Sequence, residues 1–359
     1  MYVDFLHHPT FPRGGSRGDF FVLGRYEQDM VALILSLVLA ADGPLYSDPA
    51  ADSLIRQAME ATYGLHLNQA REAASKLQER FPDHPAGYLI RAETYWWEAQ
   101  TDPHNETIES AYYRAQDLAV QKAESAIKAA KYPKVELLAY LASAHGSYAR
   151  FQVTQKGAYF SALRAGLRAH KYAEQVYELD RDYYDIYVGL GAFNFFTGSL
   201  PSVIKPFAFL IGARGNRDLG LEQLHTAMEK ARYSRTEGRI VYYTAMLEDK
   251  QYAVAFPVLE KLVADYPDNF VLYVWAADWF RQQRKNLEGA EYFERMFEKQ
   301  IQRSAMMAKY ALLEKAGLQF AHNRKNEAIQ TLERIRSIPG TDRLLASKVE
   351  SLEKQIRKG

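Results

Sequence analysis

Two stretches of the chain repeat each other, Phe81-Pro-Asp-His-Pro-Ala-Gly-Tyr-Leu-Ile-Arg-Ala92 and Tyr266-Pro-Asp-Asn-Phe-Val-Leu-Tyr-Val-Trp-Ala-Ala277. In both, a proline follows an aromatic residue, a tyrosine comes seven residues after that aromatic, and an alanine comes eleven after it. Proline cannot continue a helix, and the Asp, Asn or Ser type of residue caps the next one. Each stretch therefore predicts a corner between two helices, and their recurrence predicts an internal repeat.

The chain around these corners has the pattern of amphipathic helices. In residues 158–178, small residues recur at three- or four-residue steps with charged residues between them. This spacing places the small residues on one face of a helix. Further corners at 132–134 and 180–182 separate more helices, and no run of β-branched residues alternates between hairpin turns. The sequence predicts an all-α fold from Asp52 onward.

Composition excludes several classes of function. The chain has 359 residues, which suits two domains or one elongated repeat array, and its formal net charge of +1 gives no overall field that would attract nucleic acid. Cysteine is absent, which excludes disulfides, thiolate catalysis and cysteine-bound metals. The nine histidines are scattered, without the helical spacing of a zinc site. We expect no metal and no cofactor, and no catalytic motif predicts an enzyme.

The helix pairs resemble the tetratricopeptide-repeat superfamily, whose unit of about 34 residues carries small residues at its helix crossings. The segment 236–269 has this length, with Ala255 at the second small position and Pro267 at the terminal proline. Small residues are needed there because helices approach to about 8–10 Å only where side chains are short. Counting from each corner, the predicted crossing residues are Ala92, Ser143, Gly191, Ala277 and Ala316 on first helices and Ala70, Ala255, Ala290 and Ala328 on second helices.

The resemblance covers about residues 52–338 and implies a right-handed superhelical α-solenoid. Corners in the middle of the chain lie about 50 residues apart, which predicts lengthened central helices. We expect three parts: an N-terminal tail with an apolar segment at 1–45, a repeat array at 46–338, and a C-terminal capping helix at 339–359.

The apolar run at 30–41 is too short to span a membrane, which takes roughly 20 apolar residues. It has the length of a signal-peptide core, and in that case the protein is exported or periplasmic. Glu27 and Asp29 precede the run where a signal peptide carries positive charge. The alternative is a buried first helix in a cytoplasmic protein.

Residues 196–226 resemble a segment of the eukaryotic inclusion-body-clearance family of tetratricopeptide proteins, through the glycine-rich run at 212–220. That family is linked to the mitochondrial outer membrane and lipid droplets, and to no known enzyme activity. Arg214, Asn216 and Arg217 in this run are a candidate anion-binding turn at a helix N-terminus. The other interpretation is a tight entry turn, capped by Asn216 or Asp218.

The superfamily resemblance implies that the concave face of the superhelix binds a protein or peptide partner. The positions that line this face are Glu93, Trp96, Asp185, Phe195, Asp278 and Arg281. Aromatic and charged side chains together suit recognition of an extended ligand, although aromatic residues at helical spacing also serve as core. The alternative function is a lipid or small-molecule carrier, in which lengthened helices close around an apolar cavity. The oligomeric state cannot be predicted from the sequence.

Overall fold

The computed structural model describes residues 43–103, 105–200, 212–340 and 342–358. These residues contain fifteen α-helices and no β-strand, as the helical pattern predicts. The helices are α1 Pro49–Tyr63, α2 Leu67–Arg80, α3 Ala86–Thr101, α4 Glu106–Ala129, α5 Lys134–Thr154, α6 Tyr159–Leu179, α7 Tyr187–Gly198, α8 Arg217–Lys230, α9 Arg235–Glu248, α10 Tyr252–Asp265, α11 Phe270–Gln282, α12 Asn286–Gln300, α13 Ala305–Ala321, α14 Lys325–Ser337 and α15 Arg343–Lys358. Short 3-10 turns occupy Leu45–Ser47 and Tyr184–Ile186.

The helices form antiparallel pairs, from α1–α2 to α13–α14, and each pair packs on the next. The first helices of successive pairs contact one another through most of the chain, so the odd-numbered helices form one layer. α15 packs on α13 and α14. The chain is an all-α helical-repeat solenoid. The predicted division at 45/46 and 338/339 stays a prediction.

The central helices are lengthened, as the wide corner spacing predicts. α4 has 24 residues, and α5 and α6 have 21 each, whereas α10, for example, has 14. These three helices have no internal proline. Their exposed faces carry charged and polar side chains together with a few large apolar ones, of which Phe160 on α6 is 88% exposed.

The two sequence corners share one geometry. Phe81 ends α2 with φ −127° and ψ 64°, and Tyr266 ends α10 with φ −124° and ψ 62°. In each, the tyrosine seven residues later donates its hydroxyl to the carbonyl of the proline, at 3.1 Å for Tyr88 and 2.9 Å for Tyr273. Tyr187 makes the same bond to Arg181, at 2.8 Å. The internal repeat is confirmed. In each copy the tyrosine fixes the first helix of a pair to the preceding corner through a hydrogen bond.

Small residues lie at the helix contacts, as the superfamily pattern requires. Eight of the nine predicted crossing residues are buried, and Ala92, Ala255 and Ala277 are 0% exposed. Ser143 is the exception, because it lies on the exposed face of α5 while Ala142 and Ala144 beside it are buried. The count from the corner fails there because the central helices do not keep the standard register.

The superhelix closes on itself, so that the first helix pairs contact the fifth and sixth. The Tyr63 ring at the end of α1 lies 5.6 Å from the Tyr266 ring, and the Asn269 side chain donates to the Tyr63 carbonyl at 2.8 Å. On α3, the Trp97 ring stacks on Trp275 of α11 at 5.9 Å. The sequence makes no prediction about this contact, and the closure fills the interior of the first turn.

No helix in the described ranges is long and apolar enough to cross a membrane. The apolar segment at 30–41 lies outside the described residues, so the signal-peptide and buried-helix interpretations both stay predictions.

Candidate functional site

Glu93 and Trp96, two residues predicted for the concave face, lie together around Arg150. The Arg150 guanidinium reaches from α5 to Glu93 on α3 and to Glu237 on α9. Its central carbon lies 4.0 Å from the centre of the Trp96 ring. About a fifth of each charged side chain is accessible: 18% for Arg150, 26% for Glu93 and 21% for Glu237. The cluster therefore joins three first helices inside the closed turn.

Electrostatics favours the charged form of Arg150. Burial opposes the charge on Arg150, but the two carboxylates outweigh it and raise the pKa of the guanidinium. Burial raises the pKa of Glu237, and Arg150 works against that shift. Trp96 is only 3% exposed, and its indole donates to Thr154 at 3.3 Å. These residues hold helices together, which leaves Trp96 no surface to offer a partner.

Asp185 and Phe195 also have structural roles. The Asp185 carboxylate accepts hydrogen bonds from the backbone amides of Tyr233 at 2.8 Å and Ser234 at 2.7 Å. It thereby fixes the corner between α8 and α9. Phe195 is 0% exposed. Phe195 therefore has no surface to offer a partner, whereas Asp185 is half-buried and its place on a concave binding face stays a prediction.

Asp278 and Arg281 lie together on an accessible surface. The Arg281 guanidinium contacts Asp278 at 2.6 Å and reaches Glu314 on α13 at 3.3 Å. The side chains of Asp278 and Arg281 are 52% and 34% exposed, and that of Glu314 is 11% exposed. A Cβ at Gly317 would lie 2.9 Å from the guanidinium, so this glycine leaves room for Arg281. We call Asp278, Arg281 and Glu314 the α11–α13 face.

Burial raises the pKa of Glu314, and Arg281 lowers it. Arg281 thus pairs with two carboxylates, the exposed one of Asp278 and the largely buried one of Glu314. Glu314, like Arg150 and Glu237, is a residue that the sequence does not single out. Its helical spacing is ordinary, and only the packing of α13 on α11 brings it to Arg281.

The glycine-rich turn has the geometry of a helix entry. The Asn216 side chain accepts from the amides of Asp218 and Leu219, both at 3.1 Å, and so caps α8. Arg217 forms an ion pair with Asp249. A Cβ at Gly220 would lie 2.5 Å from the backbone nitrogen of Phe195, which explains the glycine by close packing of α8 on α7. The amides that an anion would need are occupied by Asn216, and Arg214 lies exposed beside them.

Two pockets of the described chain are open and lined mainly by charged side chains. The larger has a volume of about 730 Å³ and lies between α1 and residues 230–266. Over the ranges that the structure describes, no three His, Asp or Glu side chains are grouped to hold a metal ion. The sequence gives no signal for the larger pocket, because closure of the superhelix alone brings its walls together.

Comparison with known proteins adds little. No family model matches the chain, and no curated protein matches it. Among solved structures, a tetratricopeptide repeat protein from Parabacteroides merdae is similar at a TM-score of 0.34 and 13% identity, covering 86% of this chain and 99% of that one. So distant a likeness carries no argument, and the similarity to the inclusion-body-clearance family stays a prediction. The fold assignment rests on the helices and contacts of the chain itself.

Proposed function

We propose that this chain is a non-enzymatic scaffold that binds a partner protein on the α11–α13 face. The observation that carries the proposal is the exposed Asp278–Arg281 pair, held above the buried Glu314 on the layer of first helices. Paired charges of both signs give a protein surface specificity for its partner and steer its approach. A rigid array of helix pairs holds such a surface in a fixed shape.

Closure of the superhelix limits where a partner can bind. In the first turn, the layer of first helices is occupied by the Glu93–Arg150–Glu237 cluster and by the stacked Trp97 and Trp275. The predicted concave residues of that turn are thus engaged with the chain itself. Asp278 and Arg281 are the predicted positions that combine exposure with proximity, which is why the proposal is centred on them.

The carrier alternative requires a continuous apolar lining. The charged clusters around Arg150 and around Arg281 would interrupt such a lining. No observation on the described residues favours a bound lipid. Native mass spectrometry of the purified full chain decides between the two functions: a co-purifying lipid supports the carrier, and the mass of the bare chain rejects it.

The test of the scaffold compares two exposed ion pairs. Asp278→Arg reverses the charge on the α11–α13 face, and Asp83→Arg does the same at the exposed Asp83–Lys131 pair, where the side chains are 54% and 41% exposed. Each tagged chain captures proteins from a lysate of the source cells, and recovery is measured by quantitative mass spectrometry. A photo-crosslinking residue at position 278 then reports direct contact.

We expect a protein that is captured by the unchanged chain and by Asp83→Arg and is reduced at least tenfold by Asp278→Arg. Equal melting temperatures of the two variants show that folding is intact. Equal capture by both variants would place binding elsewhere and reject the α11–α13 face. If none of the three chains captures a specific protein, the scaffold function itself is rejected.

A further inference from the structure

The pocket of about 730 Å³ lies where the superhelix closes. One wall is α1, a second is the corner between α8 and α9 with the start of α9, and a third is the end of α10. Five cationic side chains line it: Arg56, Lys230, Arg232, Arg235 and Arg239. Two hydroxyl-bearing rings, Tyr233 and Tyr266, complete the walls.

The carboxylates near the pocket neutralise only part of this charge. Asp52 accepts from Arg56 at 3.0 Å and from Arg232 at 3.0 Å, so one carboxylate serves two guanidinium groups. Burial pushes the pKa of Asp52 up, but hydrogen bonds from Tyr233, Arg56 and Arg232 hold it at about 2, and the group stays ionised. Asp265 pairs with Arg239 at 2.9 Å.

Two cations on the rim have no such partner. In the part of the chain that the structure describes, no carboxylate lies within 4.0 Å of the charged groups of Lys230 and Arg235. Lys230 lies over the Tyr184 ring at 5.2 Å, and Arg235 donates to the Ala231 carbonyl at 2.6 Å. Both side chains are exposed. Five cations against Asp52, Glu60, Asp265 and the Asp185 carboxylate at the corner leave an excess of one positive charge around one concave space.

The N-terminus of α9 lies at this pocket, and the Asp185 carboxylate offsets part of its positive field by accepting from the Ser234 amide at 2.7 Å. α9 begins at Arg235, and Ser234 before it provides no side-chain cap because its hydroxyl donates to Asp185 at 2.9 Å. The first amides of a helix carry partial positive charge. Clustered like charges repel one another, and a bound anion removes that cost.

We propose that this pocket binds a ligand with two or more neighbouring phosphate or carboxylate groups, which Lys230 and Arg235 grip from the rim while Arg56, Arg232 and Arg239 line the walls. Guanidinium forks match the paired oxygens of both anionic groups. The volume exceeds that of a single small ion and falls within the range of ligand pockets, about 300–1,000 Å³. The site is separate from the α11–α13 face and does not depend on the scaffold function.

Calorimetric titration of the full chain tests the site with inorganic tripolyphosphate and, separately, with a short Glu-rich peptide. The pocket variant Lys230→Gln with Arg235→Gln removes the two rim charges. Arg164→Gln with Lys171→Gln removes two exposed charges from α6, outside the pocket, as the matched control. Lys230→Gln alone serves as a second variant, because this side chain makes no hydrogen bond or ion pair with any residue that the structure describes, and only its contact with the Tyr184 ring is lost.

We expect binding that the pocket variant weakens at least tenfold, that the control leaves unchanged, and that rising salt weakens steeply. Binding of tripolyphosphate alone identifies a small phosphorylated ligand, binding of the peptide alone identifies an acidic protein segment, and either supports the site. No binding of either probe overturns the proposal. So does an equal loss in the pocket and control variants, because the effect would then be one of overall charge.

Discussion

At the scale of single residues, the charge of Arg150 links three helices. It neutralises Glu93 and Glu237 at once, on helices that are far apart in sequence, and lies over the Trp96 ring. Replacing one partner of a buried ion pair is costly because the other charge stays behind without compensation. Here two carboxylates would stay behind, close to each other.

We expect Arg150→Met to lower the free energy of unfolding by about 3 kcal/mol, the lower end of the range for buried pairs because a fifth of each side chain reaches water. The matched control is Arg71→Met. Arg71 is 21% exposed and lies 4.5 Å from the Tyr95 ring. It pairs with the single carboxylate of Glu98, which is 31% exposed, and donates to the Thr94 hydroxyl at 3.1 Å. Its loss should cost about 1 kcal/mol. Urea unfolding measures both, and equal costs would contradict the bridging role of Arg150.

A second buried polar pair, His84 and Glu136, makes stability depend on pH. His84 Nδ1 accepts from the Ala86 amide at 3.2 Å, which places the proton of the neutral ring on Nε2, 3.8 Å from Glu136. Both Glu136 oxygens accept from the Leu45 amide, at 3.0 and 3.1 Å. Burial raises the pKa of Glu136 to about 7, against the Leu45 hydrogen bond, and burial lowers the pKa of His84 to about 3.

The two shifts act in opposite directions. Glu136 binds its proton more tightly in the folded chain, so its contribution to stability is full below its ordinary pKa of 4.5 and is lost as pH rises through 7. His84 is neutral when folded, so its contribution is full above 6.5 and is lost as pH falls toward 3. Between pH 4.5 and pH 6.5, the opposite changes in stability from the two groups largely cancel.

Glu136→Gln removes the pH dependence of stability that Glu136 causes and leaves the one that His84 causes. We expect the variant to gain stability relative to the unchanged chain as pH rises from about 5 to about 8, by up to about 3 kcal/mol. His84→Gln is the companion variant, and its relative gain should appear on the acid side instead. Urea unfolding from about pH 3 to about pH 8 provides the measurement. A difference between Glu136→Gln and the unchanged chain that is constant with pH would refute the raised pKa.

At the scale of helices, α7 and α8 are in contact through two glycines. A Cβ at Gly191 would lie 2.8 Å from the Gly220 carbonyl oxygen and 2.9 Å from the Leu224 backbone nitrogen. These are backbone atoms, which cannot move without shifting a whole helix. Gly189, two residues earlier in α7, is exposed, and a Cβ there would meet nothing within 4 Å.

Comparing Gly191 with Gly189 separates the effect of helix packing from that of helix propensity. We expect Gly191→Ala to destabilise the protein by about 1–3 kcal/mol, because the added methyl group forces the helices apart. Gly189→Ala should stabilise it by about 0.5–1 kcal/mol, because alanine loses less backbone entropy in a helix. Thermal and urea unfolding of the two variants check both signs. If Gly191→Ala is also stabilising, the close approach of α7 and α8 is wrong.

The elements of the fold could be predicted because their signals are local. Pro82 and Pro267 end helices through their own rings, and Ala92 and Ala277 mark crossings at a fixed count from those corners. The count failed at Ser143, where a longer helix changes the register. Where the repeat is regular, the sequence thus predicts the helices and the contacts between successive helices.

The site residues were harder to predict because a position on a helix face does not reveal what covers that face. Trp96 and Phe195 have the spacing of a binding surface, but Arg150 on α5 covers Trp96 and α8 packs on Phe195, so both are buried. Asp278 and Arg281 show the same spacing and remain exposed. The difference lies in how neighbouring helices pack in three dimensions, which no local pattern encodes.

At the scale of the whole molecule, closure changes how stability is distributed. In an open solenoid each pair interacts only with its neighbours, so damage stays local. In this chain Asn269 caps α11 by accepting from the Val271 amide at 3.0 Å, and it donates to the Tyr63 carbonyl at 2.8 Å, 206 residues away. Asn269 is 0% exposed, so neither bond is shared with water. One side chain thus links the first and sixth pairs.

Asn269→Ala should therefore loosen two distant segments together. The lost cap and the unpaired Tyr63 carbonyl together cost about 2 kcal/mol, and hydrogen exchange should accelerate both at the end of α1 and at the start of α11. Asn216→Ala is the matched control, because Asn216 caps α8 and contacts no residue of α1 among its hydrogen bonds. Its effect should stay within α7 and α8. If Asn269→Ala accelerates exchange in α11 alone, the closing contact carries no stability, and the first pairs behave as a separate unit of an open array.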